Sequence, residues 1–427
     1  MPSPFSAPTL PFLERLLDGE KVEWKTLGEV FHTRNGYTPS KANEEFWTDG
    51  TIPWFRMEDI RANGRILYDS ALHITPQAVK RNGLFKANSI ILATSATIGE
   101  HALLLQDALT NQRFTNFEIK EELKNILLPK FAFYYFFIID EWCKKHTIIG
   151  NFPSVDTQQL MELHFPIPPL RVQARIVEIL DKFTQLEAEL EAELEARNKQ
   201  YDFYRNRLLD FSLRDDLKGQ VEWKTLGEVC NVVGRIGFRG YTRNDLVERG
   251  EGAISISPTN IVNQNLNLSA EKNTYISWEK YNESPEIMIR VGDIVLVKTG
   301  STIGKVAIIR ELKERATINP QMVVLKGISC LPAYLTYYIC TPNFQLQLKS
   351  LSGQGSVPNI SQARLKTIPI PLPPLSEQRR IVDILDRFDT LTNSISEGLP
   401  REIALRRKQY EYYRDALLRF PQPAPTV

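Results

Sequence analysis

The segment Gly300-Ser-Thr-Ile-Gly304-Lys305-Val306 is the nearest thing in this 427-residue chain to a phosphate-cradling loop. A P-loop keeps four residues between its glycines and a Ser or Thr after its lysine, so that backbone N–H groups wrap a phosphate and the hydroxyl reaches a magnesium ion. Here three residues separate the glycines and Val306 follows the lysine, so the pattern fails. No Gly-x-Gly-x-x-Gly opens a helix after a strand. All five histidines (His32, His73, His101, His146, His164) fall in the first half, which excludes a repeated active site built on His, and none has an evident Ser or Cys partner. Cys143 and His146 have a loosely metal-like spacing, but no second pair answers them, and they read as two residues on a helix. The four cysteines (Cys143, Cys230, Cys330, Cys340) are scattered without a CxxC, which fits a reducing, cytoplasmic setting.

Asn319-Pro-Gln-Met322 faintly resembles the Asn-Pro-Pro-aromatic turn of amino-methyltransferases but lacks the second proline and the aromatic. No nuclease, helicase or methyltransferase core emerges. The chain reads as a binding scaffold without catalytic residues or a cofactor of its own, so the elements that would position a binding surface come next.

Those elements are duplicated. Val22-Glu-Trp-Lys-Thr-Leu-Gly-Glu-Val30 recurs unchanged at Val221–Val229. Asn88–Leu103 answers Asp293–Ile308, Phe165–Phe183 answers Ile368–Phe388, and Lys199–Phe211 answers Lys408–Phe420, all in the same order. A period near 200 residues means a duplicated domain pair rather than a solenoid. Phe12–Trp24 sits where Phe211–Trp223 sits in the second half, so the repeat is nearly circular, and a pseudo-two-fold arrangement is expected.

Each half reads as a globular domain, a proline-rich hinge and a long helix. The hinges, Pro166–Leu170 and Pro369–Leu375, are expected to be extended and stiff, because proline fixes φ and pushes its predecessor out of the helical region. Ser376 is a candidate N-cap for the second helix. The helices carry apolar residues at threes and fours: Ile176, Leu180, Phe183, Leu186, Leu190 and Leu194 in the first, and Ile381, Leu385, Phe388, Leu391, Ile395 and Ile403 in the second. Tyr201, Tyr204 and Leu208, and then Leu399, Tyr410, Tyr413 and Leu417, continue them. The stripe predicts two rods of about 60 Å that bury their seams against each other. The second helix holds four extra residues around Gly398-Leu-Pro-Arg401, which should kink or break it. The Leu186-Glu-Ala-Glu-Leu190 steps of the first are strongly helical, with their acids on a solvated face.

The expected fold class is therefore α+β: two mixed α/β domains separated by two long helices. The boundaries are 1–20 for a segment completing the repeat, 21–165 for the first domain, 166–213 for hinge and central helix, 214–368 for the second domain, 369–420 for hinge and C-terminal helix, and 421–427 for a flexible tail. The longest apolar run, Phe131–Ile139, is far short of the ~20 residues a membrane span needs, so it reads as a buried element. No charged-then-apolar leader opens the sequence, and export is not expected. Net charge is +1. The stretch Arg214–Leu375 carries 19 Lys/Arg against 14 Asp/Glu, whereas Lys21–Phe165 carries 16 against 17. Any nucleic acid would be held with modest electrostatic help from this chain, and other subunits would neutralise much of the phosphate.

With repeat, hinges and rods in place, the sequence resembles the DNA-specificity subunits of type I restriction-modification systems. The resemblance covers almost the whole chain and rests on three pieces. They are the Pro-Pro-Leu-x-x-Gln hinge with Arg-Ile-Val-x-Ile-Leu-Asp-Lys/Arg-Phe, the Lys-Gln-Tyr-x-x-Tyr-Arg tail, and the Ala/Ser-Thr-Ile-Gly turn, each present twice. It implies two target recognition domains, held apart by two long antiparallel coiled-coil helices, on a bipartite, asymmetric double-stranded DNA site with an unread spacer. It also implies two docked modification subunits that carry S-adenosylmethionine and methylate adenine. Restriction subunits that use ATP and magnesium are an optional addition. Two readers on one duplex face sit about one helical turn, ~34 Å, apart or a little more.

Base- and phosphate-contacting candidates follow from side-chain chemistry. Arg34, Tyr37 and Thr38, and then Arg235, Arg239 and Tyr241, lie on glycine-containing loops that join Arg with aromatic and hydroxyl groups. Arg bridges guanine O6 and N7 bidentately. A turn with a solvated arginine is the bland alternative at each. Lys298, Thr299, Ser301 and Lys305 follow a predicted strand and offer cations and N–H groups to phosphate. Ala93 and Glu100 stand where Lys298 and Lys305 stand in the second half, so the Thr-Ile-Gly turn itself is expected to be structural. Arg56, Arg61, Arg65 and Arg113 in the first domain, and Asn260, Gln321, Gln354 and Asn359 in the second, complete the set. A different class of function, a two-headed coiled-coil adaptor that binds no DNA, is supported by the near-neutral charge.

Overall fold

A computed structural model describes residues 11–148, 153–235, 240–269, 273–353, 357–394 and 397–421. The chain forms two compact units, Met1–Glu189 with Ala404–Val427, and Leu190–Ile403.

Each unit starts from the nine-residue repeat. Glu23–Thr26 and Glu222–Thr225 are strands, and Leu27–Val30 and Leu226–Val229 are single helical turns. The step from strand to helix is made by Thr and Glu: Thr26 donates its N–H to Glu29 Oε2 (2.6 Å), and Thr225 does the same to Glu228 Oε2 (2.7 Å). These bonds satisfy N–H groups that a helix start leaves open. Leu27, Val30, Leu226 and Val229 point inward and are fully buried. The strand half pairs antiparallel with the proline-rich segment of its own unit, Trp24 opposite Pro166 and Trp223 opposite Pro371. The segments expected to be extended, stiff hinges overlap paired strands, His164–Ile167 and Pro369–Leu372. Proline is tolerated because each has a single neighbour, leaving one edge that needs no N–H.

In the first unit a five-stranded sheet runs in the order Phe31–Asn35, Phe114–Ile119, Ile90–Ala93, His101–Leu104, Ile66–Leu67. In the second, four strands run in the matching order Asn231–Val233, Met322–Lys326, Ile294–Val297, Val306–Ile308. The central strands Ile90–Ala93 and Ile294–Val297 are buried along their whole length, as uninterrupted apolar runs demand. A second sheet in each unit contains one parallel pair, Ile52–Phe55 with Leu109–Thr110 and Gly252–Ile256 with Ala316–Ile318. The apolar run Phe131–Ile139 lies in the helix Pro129–Lys145 and supplies the first core.

The domains are fastened to their long helices by duplicated polar bonds. Tyr134 donates to Asp181 (2.7 Å) and Tyr337 to Asp386 (2.6 Å), and burial together with these carboxylates holds both phenols protonated. The glutamine of each Pro-Pro-Leu-x-x-Gln is buried. Gln173 accepts from Leu128 N–H (2.9 Å) and donates to Pro168 O (2.7 Å), while Gln378 accepts from Leu331 N–H (3.1 Å) and donates to Pro373 O (2.9 Å). Ser376 is not the N-cap: the helix Leu375–Asn393 begins one residue earlier, after Pro374, whose fixed φ already leads into it.

The first helix is continuous over Leu170–Leu209. The second ends at Asn393 and restarts at Gly398, which has φ +74°. A Cβ there would lie 2.5 Å from Thr390 O, so glycine is required where this residue lies against the last turn of the preceding helix. The apolar stripe is not a closed core along its length. Ile176, Leu180, Ile381 and Leu385 are fully buried within the two domain cores. Phe183 meets Tyr410 and Tyr413 with ring centroids 6.4 and 5.5 Å apart, and Glu187 meets Arg407, so the helices run antiparallel in the first unit. Phe388 meets Tyr201 and Tyr204 at 6.2 and 5.7 Å in the second. Leu186 is 37% exposed, and Leu190, Leu194, Leu391 and Ile403 are half-buried. A narrow two-helix seam leaves such side chains an open flank. Ile395 lies outside the described residues.

Candidate nucleic-acid interface

Parallel strands end at the same edge, so the turns that leave them emerge together. In the first unit Phe55 pairs with Thr110 and in the second Ile256 pairs with Ile318. The turn after each second strand is built alike. Asn111 N–H bonds Phe55 O (3.2 Å) and Asn319 N–H bonds Ile256 O (2.8 Å). Asn111 Oδ1 accepts from Arg113 N–H (3.0 Å), and Asn319 Oδ1 accepts from Gln321 N–H (3.1 Å). From the adjoining sheet, Thr94 N–H reaches Arg113 O (3.1 Å) and Lys298 N–H reaches Gln321 O (2.9 Å). Asn319-Pro-Gln-Met322 is therefore an Asx turn, a side chain mimicking a backbone turn.

These bonds correct one register. Thr94, not Ala93, occupies the place of Lys298, because the hairpin turn closed by Ala93 and Gly99 is one residue shorter than that closed by Val297 and Gly304. Both glycines of Thr-Ile-Gly have positive φ, +76° and +91°, and sit hard against the next helix, Gly99 under Asp140 O and Gly304 under Gln345. The turn is structural in both units, as its sequence suggested.

The structure gathers some of the candidates and uses others internally. In the first unit Arg113 is exposed on its turn, and Thr38 donates to the neighbouring Gln112 (2.7 Å). Arg56 directly follows Phe55, with a buried Nε that lacks a hydrogen-bond partner and Glu58 at 3.9 Å. Arg61 is exposed on the helix Met57–Asn63, away from this turn in the chain. Arg34 donates to the carbonyls of Asn82, Gly83 and Leu84 and covers the Phe85 ring, so it ties a loop down. Tyr37 donates to Ala78 O (3.1 Å) and accepts from Lys80 N–H (2.8 Å). Arg65 is ion-paired with buried Asp140 (2.8 Å) over the Phe137 ring.

In the second unit Lys298, Thr299, Gln321 and Asn359 converge. Thr299 donates to Asn359 Oδ1 (2.6 Å), and Lys298 Nζ lies 3.4 and 3.5 Å from Thr299 Oγ1 and Asn359 Oδ1. Half-burial lowers the Lys298 pKa. Ser301 and Lys305 are exposed in the hairpin turn. Arg235 is 8% exposed, donates to Ile318 O (3.0 Å) and lies beside the Tyr241 ring, whose hydroxyl accepts from Ser255 (2.9 Å). Asn260 is fully buried and caps its own turn through Ser257 N–H (2.9 Å), as Asp59 does for Arg56 N–H (2.7 Å). Arg239 and Gln354 lie outside the described residues.

Sequence reasoning missed Gln112 and the framing Asn111 and Asn319. Only Asn319 had drawn notice, within the failed methyltransferase motif. The arrangement can offer hydrogen bonds and a half-buried cation to a polar ligand. Burial pushes the thiols of Cys143, Cys230 and Cys340 up to about 12, so none is an activated nucleophile. Among the described residues no cluster of His, Cys, Asp or Glu could hold a metal ion, and no helix is long and apolar enough to cross a membrane.

The comparisons with known proteins agree with this duplication. The family model for the type I restriction modification DNA specificity domain matches twice, at residues 19–196 and 219–405. The type I restriction enzyme EcoprrI specificity subunit of Escherichia coli is 38% identical over 91% of this chain and 92% of its own length. The EcoR124I/EcoR124II specificity subunit of the same organism is 33% identical over 97% and 98%. A solved chain of the type I R-M system aligns over 93% of this protein and 98% of that chain with a TM-score of 0.65; at 17% identity that likeness concerns the fold alone. Two tandem copies of the domain, and relatives matched over nearly their full length, establish that the chain belongs to the specificity subunits of type I restriction-modification systems.

Proposed function

We propose that the two units read the two unlike halves of a bipartite, asymmetric DNA site. The same chain would seat two modification subunits, which supply S-adenosylmethionine and the adenine-methylating centre. Restriction subunits, with their ATP and magnesium, join where the host encodes them, and the isolated chain neither methylates nor cuts. One observation carries the reading: the frame is kept and the surface is not. The strand–turn repeat, the buried glutamines and the Tyr–Asp bonds are the same in both units, while the side chains carried on the turns at the parallel-strand edge differ in charge. Equal partners favour equal seats, and unlike half-sites favour unlike readers.

A duplicated aromatic pair supports the seats. Phe203 and Tyr204 on the first helix are 56% and 40% exposed, and Tyr412 and Tyr413 at the repeat-equivalent place are 59% and 37% exposed. Aromatic groups are enriched where protein interfaces form. The test is to express the chain with its modification subunit and map methylated adenines genome-wide. One two-part motif is expected, together with a salt-sensitive shift of duplex carrying it. Methylation independent of this chain, or a complex that ignores duplex DNA, refutes the reading and leaves a protein adaptor.

A further inference from the structure

The turns Asn111–Phe114 and Asn319–Met322 share their backbone bonds but differ in the side chain they hold outward. We propose that this is a base-reading position, at which Arg113 reads a guanine in one half-site and Gln321 an adenine in the other. The assignment rests on the DNA-recognition reading above and adds to it the residue and the base.

The frame comes first. In each unit the reading residue's N–H is held by an Asn side chain (3.0 and 3.1 Å) and its carbonyl by the neighbouring sheet (3.1 and 2.9 Å). The Asn is itself bonded to the end of the parallel strand (3.2 and 2.8 Å). Backbone freedom is thus removed at one place in two copies, which is the preorganisation that selective hydrogen bonding needs. Side-chain availability comes next. The guanidinium groups of Arg34, Arg65 and Arg235 are bonded to backbone or buried carboxylate, whereas that of Arg113 is exposed with no partner among the described residues. The Gln321 amide oxygen accepts one bond from Asn319 Nδ2 (3.2 Å), which orients it while leaving a second lone pair and both amide hydrogens for a ligand.

Phosphate is the competing ligand, and the duplication argues against it. The DNA backbone is chemically the same under both halves, so a phosphate clamp on an unchanged frame would keep its charge. Here a cation is exchanged for a neutral amide. Those two heads are the ones that match base edges: the Arg fork fits guanine O6 and N7, and the Gln acceptor–donor pair fits adenine N6 and N7.

The test uses the complex of the full chain with its modification subunits. Methylation rates are measured on duplexes that differ at single positions of the mapped motif. Arg113→Ala and Arg113→Lys are both expected to lose about ten- to hundred-fold discrimination at one guanine of one half-site, with the other half read as before. Gln321→Ala should do the same at one adenine of the opposite half. Retention of full discrimination by Arg113→Lys overturns the proposal. So does uniform weakening across sequences with a shallower salt dependence, which is the mark of a phosphate contact. Where a variant methylates too slowly to score, binding of the same duplexes gives the answer, and an unchanged melting temperature excludes misfolding. A wild-type complex with no motif at all defeats the recognition reading itself, before any variant is made.

Discussion

His101 shows what a single buried group adds to the behaviour of the first domain. Its ring is wholly inaccessible, 2.7 Å from Asp140 and packed edge-on against Phe133 and Phe137, with Arg65 on the same carboxylate. Burial dominates and holds the imidazole below its ordinary value of 6.5, against the opposing pull of Asp140. The unfolded chain therefore takes up a proton near pH 6.5 that the folded chain refuses, and stability falls as pH drops below that value. The slope has a ceiling of about 1.4 kcal/mol per pH unit for one proton. Thermal unfolding at pH 7.5 and 5.5 should show this sensitivity, and His101→Leu should reduce it even if it lowers stability at both. The sequence named His101 only among five histidines without an evident Ser or Cys partner. Its carboxylate lies 39 positions away on a helix, and side-chain pairing across such a distance is decided by packing. The same holds for Arg34 and Arg65, which chemistry marked for DNA and the fold uses to tie loops and balance a buried charge.

The linkage of domain to helix belongs to elements rather than residues. Each proline-rich strand leaves carbonyls that its helix start cannot satisfy, and one glutamine in each unit closes them while also taking an N–H at the start of the domain's own helix. Replacing Gln378 by Leu strands these groups in the interior, and a loss of about 1–3 kcal/mol is expected for a buried polar group left unpaired. Urea unfolding read by tyrosine and tryptophan signals would measure it, and the Gln173→Leu variant should match in size. At this scale the sequence was most legible. Repeats, the long helices and the break beside Gly398 follow from spacing and from glycine and proline chemistry. It showed the proline segments as extended but not their pairing, because proline's local preference for extension says nothing about a strand partner more than a hundred residues away. It misplaced the cap at Ser376 because Pro374, two residues earlier, already holds the cap position and sets the entry angle. The proposed recognition edge was only half visible: Arg113, Lys298 and Gln321 were named for their heads, while the Asn frame that makes them comparable depends on hydrogen bonds no composition reveals.

At the scale of the molecule, helix length is the adjustable quantity. The helix Leu170–Leu209 is uninterrupted, and its Leu-Glu-Ala-Glu steps are good helix formers with solvated acids. Adding one further four-residue step after Leu190 keeps the apolar face in register and lengthens the helix by about 6 Å. On the proposed reading the methylated motif should keep both half-sites and gain one or two base pairs of spacer. A changed half-site, or an unchanged gap, would separate helix length from spacing. One feature of the first unit also bears on how the protein is made. Leu417, Leu418 and Phe420 are buried in the same core as Leu13, Leu27 and Phe131, whereas the buried residues of the second core all lie between Tyr201 and Leu385. Vectorial synthesis on the ribosome therefore completes the later unit while the earlier one still shows an apolar cleft, so nascent chains should need chaperone shelter for the half that was translated first.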